Sequence, residues 1–523
     1  MTKAILASSP DLAYDRSGVS AGIDGDKGWG EEMASVFLPR KGLLNGLRAL
    51  LSIWAGKLTA LACRLVGYPG TSLPGVVSLK LFPGIVEFLA SSYDVVVAVT
   101  GTNGKTTTAN LLAHFLREAG LSVAHNSEGA NMLPGVATAL IRDCDLLGRR
   151  RSRFAILEVD EGSVGRVFSA AKPRVVVVTN YFRDQLDRYW ELERTTGLLR
   201  STLDRLQDVT LILNADDPLV AAIGRGREKV RYYGVNDEDA KGGAAGGGRG
   251  AAYAETREGR YCSFCGTELV YKKIYYGQLG HYFCPGCGFS RPEPCLLASC
   301  VSEGEVLSFS VEVQERDGGM TPQGASMRFA APMRGFYNVY NILAAASAAS
   351  ALGISLDAVR SSLLGYKAAT GRMERFSLGG RPCTLVLIKN PAGVNQVLRT
   401  ILSSDTAKSL VLAINDLAAD GRDVSWLWDA DFALLADARV KRIICSGLRA
   451  ADMAVCLKYF GISTERLLIV PERRESLQLL QKQEGDELFV LATYTNLFAY
   501  AKLLRRMGKG GEVVAPQNLP SLS

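Results

Sequence analysis

Apolar residues in this chain follow two patterns that repeat along its length. In "YDVVVAVTGTNGKTTTANLLAHFLREAG" a continuous branched run of strand length leads through a glycine loop into a segment with helical spacing. "RFAILEVDEGS", "PRVVVVTNYFRDQLDRY", "VTLILNADDP" and "KVRYYGVN" repeat the strand half of that unit, with helical stretches between them. Continuous runs, rather than alternating ones, are what strands buried on both faces require. The pattern predicts α/β architecture with a parallel, doubly wound sheet.

The pattern then breaks. "KGGAAGGGRGAA" predicts a flexible loop, and residues 296–332 predict strands and turns, with alternation in "VLSFSVEVQ". "GFYNVYNILAAASAASALGISL" carries no charge and predicts a buried helix. After a link around "GYKAATGRMERF", five more strand-like runs follow: "CTLVLIKNP", "SLVLAINDLAADGRD", "VKRIICSG", "RLLIVP" and "ELFVLATY". They predict a second, smaller α/β domain. Near the start, "LLNGLRALLSIWAGKLTALACRLVG" is apolar on one face and interrupted by Arg48, Lys57 and Arg64, so it predicts an amphipathic helix rather than a membrane span.

The expected organisation is a tail over 1–41, a first domain over 42–370 and a C-terminal α/β domain over 371–523. With 523 residues, two to four domains are expected. The first forty residues hold no apolar core segment of the kind a secretory signal needs. Eleven cysteines show no framework spacing beyond one motif, which points to a reducing, cytoplasmic setting. A net charge of +7 is too diffuse at this length to indicate nucleic acid as a partner.

Chemistry concentrates at strand ends. "GTNGKTTT" follows a buried strand and opens a helix. Backbone N–H groups over Gly101, Thr102, Asn103, Gly104 and Thr107, with the helix N-terminus, suit phosphate oxygens. Lys105 would neutralise outer phosphates and Thr106 would place a hydroxyl on Mg²⁺. Two residues separate Gly101 from Gly104, where an ordinary Walker loop has four. Glu158 ends a buried strand and is a second candidate Mg²⁺ ligand, ahead of Asp160 and Glu161, because ligands collect at the carboxyl ends of parallel strands. A solvated acidic loop is the plain alternative. In "LNADDP", Asn214 is a candidate reader of an adenine and Asp217 of a ribose or a lysine, although such clusters usually just make turns.

Cys262, Cys265, Cys284 and Cys287 form C-x2-C-x18-C-x2-C within an insert of about 258–291. This is zinc-ribbon spacing; four thiolates close the coordination shell, so a structural Zn²⁺ is expected, without catalysis. Lys272, Lys273 and Arg291 lie nearby and leave open a grip on nucleic acid. Asp416, Asp420, Asp423, Asp429 and Asp431 form an acid-rich stretch with exposed-looking tryptophans in the second domain. No histidine follows His281, so that domain holds no complete Cys–His–acid triad. It can at most lend an acid to a Cys–His pair elsewhere.

"TGTNGKTTT", "NSEGANM", "LNADDP", "FYNVYNILAAASAA" and "GRMERF" follow one another as they do in the Mur ligase superfamily, which this chain resembles. The cysteine insert, "KNPAGVNQV" and "NDLAADGRDVSWLWD" are similar to its MurT branch, the synthetase subunits of lipid II isoglutaminyl synthases. The resemblance covers roughly 42–505. It implies a Mur ligase-type P-loop domain and an ATP-dependent carboxylate–amine ligase in peptidoglycan biosynthesis. ATP would phosphorylate the α-carboxylate of D-glutamate in the stem peptide of lipid II or its precursor, and ammonia would displace the phosphate to give D-isoglutamine. A GatD-like glutaminase subunit, forming a heterodimer, would supply the ammonia. Peripheral contact with a membrane bearing the substrate is part of that picture. An Asp of this chain would complete the partner's Cys–His pair, at Asp420 or Asp423, with Asp420 preferred. Asn338 and Asn341 would lie near the nucleotide, and Arg372 would reach its phosphates.

The chain also departs from the superfamily. Gln185 stands where an Asp-His pair usually ends, Tyr337 stands for a frequent His, and no lysine occurs between Lys172 and Lys229 to carry a carbamate, Arg200 taking the nearest position. Two rival readings remain: an amino-acid-adding Mur or folylpolyglutamate-type ligase, and a zinc-ribbon P-loop ATPase that binds nucleic acid.

Overall fold

The structure is a computed structural model and describes residues 43–68, 70–127, 129–182, 192–237, 259–314, 324–367 and 371–508. The expected tail over 1–41, "RDQLDRY" with Gln185, and the glycine-rich loop lie outside the described residues.

Three helices open the chain, Leu43–Leu65, Leu73–Leu81 and Ile85–Ala90. The first is amphipathic, as expected, but its small residues face inward. Ser52 and Ser78 exchange reciprocal hydroxyl-to-carbonyl bonds of 2.9 and 2.8 Å, and a Cβ on Gly56 would stand 2.4 Å from Ser78 Oγ. Lys57, one of the three cations breaking the apolar run, also turns inward and donates to the carbonyls of Ile141 and Cys144. Leu47, Leu51, Trp54, Leu58, Leu61 and Leu65 face outward. Among the described residues this is the one helix long and apolar enough to cross a membrane, and about a third of it is buried.

The first sheet is built from β1 (Val95–Thr100), β2 (Val123–His125), β3 (Phe154–Glu158), β4 (Val175–Val178), β5 (Thr210–Asn214) and β6 (Val230–Val235). A two-stranded insert, β7 (Val270–Tyr276) and β8 (Leu279–Phe283), stands apart; β9 (Leu296–Ser302), β10 (Leu307–Val313) and β11 (Ser326–Ala331) complete the sheet. Its order is β11-β10-β9-β6-β5-β4-β1-β3-β2, parallel from β2 to β9 and antiparallel over β9-β10-β11. In β1 the side-chain period of two divides the core. Val95, Val97 and Val99 pack with Leu112 and Phe115 on one face, and Val96 and Ala98 with Val136 and Leu140 on the other. The predicted alanine-rich helix spans Tyr337–Ala351 and lies against the helix Lys105–Glu118, its small side chains allowing close approach.

The second sheet contains β12 (Arg372–Leu378), β13 (Arg381–Leu387), β14 (Lys408–Ala413), β15 (Val440–Ser446), β16 (Leu467–Ile469) and β17 (Glu487–Ala492). Its order is β12-β13-β17-β14-β15-β16, and only the β12–β13 pair is antiparallel. All five expected runs are strands. Part of the expected link "GYKAATGRMERF" is instead the start of β12, an edge strand with half-buried faces whose charged residues hide it from an apolar pattern.

Candidate active site

The phosphate loop needs its two glycines for backbone geometry. Gly101 has φ 118° and Gly104 φ 85°, and Gly104 caps the helix Lys105–Glu118. A Cβ on Gly101 would lie 2.4 Å from Thr179 Oγ1, and one on Gly104 would lie 2.1 Å from Asn341 Oδ1. The loop is fastened to the end of β4. Thr102 N donates to Asn180 O at 2.8 Å, Asn103 N to Asn180 Oδ1 at 2.9 Å, and Thr179 Oγ1 to Asn103 O at 2.7 Å.

Lys105 is buried and curls back on its own loop. Its ammonium donates to Gly101 O, to Thr102 O at 3.1 Å and to Glu161 Oε2 at 2.9 Å. Burial pulls its pKa down, but Glu161, Asp160 and Glu158 outweigh burial and the net shift is upward. Glu161, ranked in the sequence as a weaker metal ligand, is therefore the lysine's partner. Glu158 holds its expected place at the end of β3. Its backbone is locked by Asn126 and its Oε1 accepts from Asn131 Nδ2 at 3.1 Å, while its buried Oε2 has no hydrogen-bond partner. A buried anionic oxygen without a donor is costly unless a cation meets it. Glu158 Oε2 with Thr106 Oγ1 thus fits the oxygen donor set that Mg²⁺ takes.

A cleft opens beside this loop, between the two sheets. On one side stand Asn103, Gly104, Thr107, Asn180, Asn338 and Asn341; on the other stand Gly371, Arg372, Lys389, Gly393 and Gln396. Asn341 Nδ2 donates to Asn338 Oδ1 at 2.9 Å, and Arg372 Nη2 donates to Thr106 Oγ1 at 3.1 Å. Asn390 joins the sheets: its Nδ2 donates to Asn103 Oδ1 at 3.1 Å, and its Oδ1 caps the helix Pro391–Leu402 through Gly393 N at 2.8 Å. Asn390 and Asn180 were not singled out by sequence. Asn-Pro at 390–391 carries a legible helix-start signal, since asparagine caps and proline occupies the first turn.

Asn214 and Asp217 are not brought to the cleft. Both are wholly buried. Asn214 donates to Thr179 O and accepts from Asp216 N, so its amide is committed to the turn. Asp217 accepts from Tyr181 N, Leu219 N and Val220 N and caps the short helix after β5. Burial pushes its pKa up to about 7 against those bonds. In the structure Asn214 braces the turn and Asp217 caps the helix, and neither lines the cleft.

In the insert, the four Sγ atoms lie within 4.8 Å of one another, with Cys262–Cys287 at 3.5 Å and Cys265–Cys284 at 3.4 Å. A tetrahedral ion with Zn–S of 2.3 Å separates its sulfurs by about 3.8 Å, so the four thiols fit one zinc. Arg291, a candidate for gripping nucleic acid, is turned inward to Asp216 at 2.5 Å, and Lys273 donates to Asp237 O. Arg200, at the carbamate position, lies over the insert's Phe264 at 5.8 Å.

The acid-rich loop after β14 is locally paired. Asp416 meets Arg449 at 2.5 Å. Asp420 is buried and accepts from Thr495 N at 2.7 Å and Thr495 Oγ1 at 2.6 Å, at the start of the helix Tyr494–Met507. Asp423 is half-buried and accepts from Ser425 N and Oγ. Trp428 is exposed as expected, whereas Trp426 belongs to the core.

A family model for the Mur ligase middle domain matches residues 99–270, and one for the MurT ligase C-terminal domain matches 387–497. The lipid II isoglutaminyl synthase (glutamine-hydrolyzing) subunit MurT of Staphylococcus aureus (strain COL) is 33% identical over 468 residues, covering 89% of this chain and 100% of that protein. Its counterpart in Streptococcus pneumoniae (strain ATCC BAA-255 / R6) is 33% identical over 460 residues, covering 88% and 97%. In fold, the chain is similar to a pseudomurein peptide ligase type C from Methanothermus fervidus, with TM-score 0.60 and 23% identity over 82% of this chain and 83% of that one. MurF from Acinetobacter baumannii gives 0.58 and 17%, over 82% and 80%. Matched at 33% identity along almost the whole length of those synthase subunits, the chain belongs to the MurT family of Mur ligase-type enzymes.

Proposed function

We propose that this chain is the synthetase subunit of a lipid II isoglutaminyl synthase. It uses ATP to activate the α-carboxylate of D-glutamate in the stem peptide and passes it to ammonia from a glutaminase subunit. The observation that carries this reading is the cleft between the sheets, which joins a phosphate loop, the Asn338 and Asn341 carboxamides and an arginine from the second sheet.

The nucleotide's phosphates lie on the N–H groups over 104–107 at the start of the helix Lys105–Glu118, with Lys105 released from Glu161 to the outer phosphate. Asn338 and Asn341 offer donors and acceptors to the base. Arg372 stabilises charge on the phosphoryl group as it leaves ATP, which is where electrostatic stabilisation has most effect. Mg²⁺ held by Thr106 and Glu158 would neutralise phosphate charge there. A second cleft shares Arg372 and Leu387 with the first and is lined by Arg117 and Lys367. Its cations suit an acidic peptide acceptor, so the carboxylate and the phosphoryl donor approach Arg372 from opposite sides. Phosphorylation converts a poor leaving oxygen into a good one, and ammonia then displaces phosphate.

The outward leucine face of the helix Leu43–Leu65, with exposed Arg48 and Arg64 and no acidic residue, suits lying on a membrane that carries a lipid-linked substrate. Asp420 or Asp423 completes the partner's Cys–His pair, and zinc occupies the four cysteines. The test is amidation of lipid II by the purified chain with ATP, Mg²⁺ and ammonium chloride, then with the glutaminase subunit and glutamine, read by mass. Addition of a free amino acid in place of ammonia would overturn the reading.

A further inference from the structure

The cysteine insert and the cleft meet at one side chain. β7 begins beside the cysteine cluster and runs about 20 Å, at strand rise, to Tyr276. Tyr276 lines the cleft together with Tyr337, Asn338 and Asn341. Its ring is stacked on Phe182 at 5.9 Å and 24°, and meets Tyr340 edge-on at 5.8 Å.

The hairpin tip beyond it is pressed into the first domain. Gly277 has φ 53°, and a Cβ there would lie 2.4 Å from Phe182 Cε1. Gln278 is wholly buried and donates from Nε2 to Tyr181 O and to Asp217 Oδ2. Phe182 is bonded in turn to the phosphate loop, accepting from Thr102 Oγ1 and donating back to it, both at 3.1 Å.

The other end of the hairpin is held by the cluster. Cys262, Leu269, Tyr282, Cys284 and Phe289 pack on Ala221 and Ala222, and the Arg225 guanidinium lies 4.3 Å over Phe264. The β7–β8 register is broken twice by irregularities, and a two-stranded hairpin is marginal alone. A metal that closes the cluster fixes the strand that carries Tyr276.

We propose that Tyr276 is the wall on which the nucleotide base rests, and that metal occupancy of the four cysteines sets nucleotide affinity by holding that wall in place. The proposal rests on the reading of the cleft as the ATP site. Coupling between two bound ligands is reciprocal, so nucleotide also raises affinity for the metal.

The test uses the full chain and a non-hydrolysable ATP analogue, followed by calorimetry. Tyr276→Ala weakens binding about tenfold, as loss of one aromatic stack does, and Tyr276→Phe restores it. Neither variant changes affinity for inorganic triphosphate, which has no base; a merely structural role for Tyr276 would lower both. Zinc withdrawn by chelator from the parent chain lowers analogue affinity, and zinc returned restores it. If the stripped chain unfolds, the equilibrium zinc affinity of the intact chain, read by competition with a chelator, decides instead, because saturating analogue raises it. Unchanged binding in Tyr276→Ala, or zinc affinity indifferent to nucleotide, overturns the proposal alone. A parent chain that binds no adenine nucleotide overturns the ATP reading and this proposal with it.

Discussion

Two acidic loops leave the carboxyl ends of parallel strands here, one after β3 and one after β14, and they are built in opposite ways. After β3, Glu158 keeps a buried oxygen without a donor, and Glu161 holds a buried lysine that belongs to the phosphate loop. After β14, the acids have close protein donors: Asp416 has Arg449, Asp420 has Thr495 and Asp423 has Ser425. Acid count alone does not separate a site from a structured loop. The separation lies in whether desolvated charge has been left for something else to neutralise, because burial makes such charge expensive to keep. The β3 loop is arranged for a bound cation and phosphate, the β14 loop for rigid presentation of a carboxylate.

The most severe way to break this comparison is at β3. Glu158→Gln and Lys105→Ala should each lower amidation by roughly a hundredfold to a thousandfold, whether the nitrogen comes from ammonium chloride or through the partner. Asp420→Asn and Asp423→Asn should leave ammonium-driven amidation near the parent rate. Whichever of the two completes the partner's pair should lose glutamine-driven turnover, by roughly a thousandfold or more. Loss of both nitrogen routes in a β14 variant would erase the distinction between the loops. A smaller effect comes from capping: Asp420→Ala and Asn390→Ala should each cost about 1 kcal/mol in thermal or denaturant unfolding.

The smallest expected effect concerns a charge between the sheets. Glu305 pairs with Arg375 of β12, the larger influence, and with Arg334, which together hold its carboxyl down at about 2. A depressed carboxylate stabilises the fold above its unfolded pKa of 4.5 and loses that contribution as pH falls towards 2. Glu305 is about half exposed, so solvent screening keeps the term small. Glu305→Gln should lower stability by about 0.5 kcal/mol at neutral pH and by less at pH 3, read from paired melting curves.

Much of this was legible locally. The phosphate loop announces itself because strand, glycines, lysine and helix are contiguous, and the cysteine spacing does the same for the insert. Asn338 and Asn341 are three apart on one helix, so they share a face. The failures are tertiary. Asn214 and Asp217 have the chemistry of ligands, and only the structure shows Asn214 bonded to Thr179 and Asp216, and Asp217 to Tyr181 and Gln278. Tyr276 carries no local signal; it reaches the cleft because a hairpin far along the chain docks beside β4. β12 escaped notice because an edge strand with charged, half-buried residues has neither apolar run nor clean alternation.

The leucine face of the first helix makes this molecule surface-active. Six large apolar side chains between Leu47 and Leu65 stand outward along one face of that helix. At an air–water or oil–water boundary the chain should therefore adsorb in one orientation, with that helix towards the apolar phase. Dilute samples should be lost to untreated plastic, bind phenyl resin more tightly than the fold's size suggests, and be recovered by a mild non-ionic detergent that leaves nucleotide binding untouched.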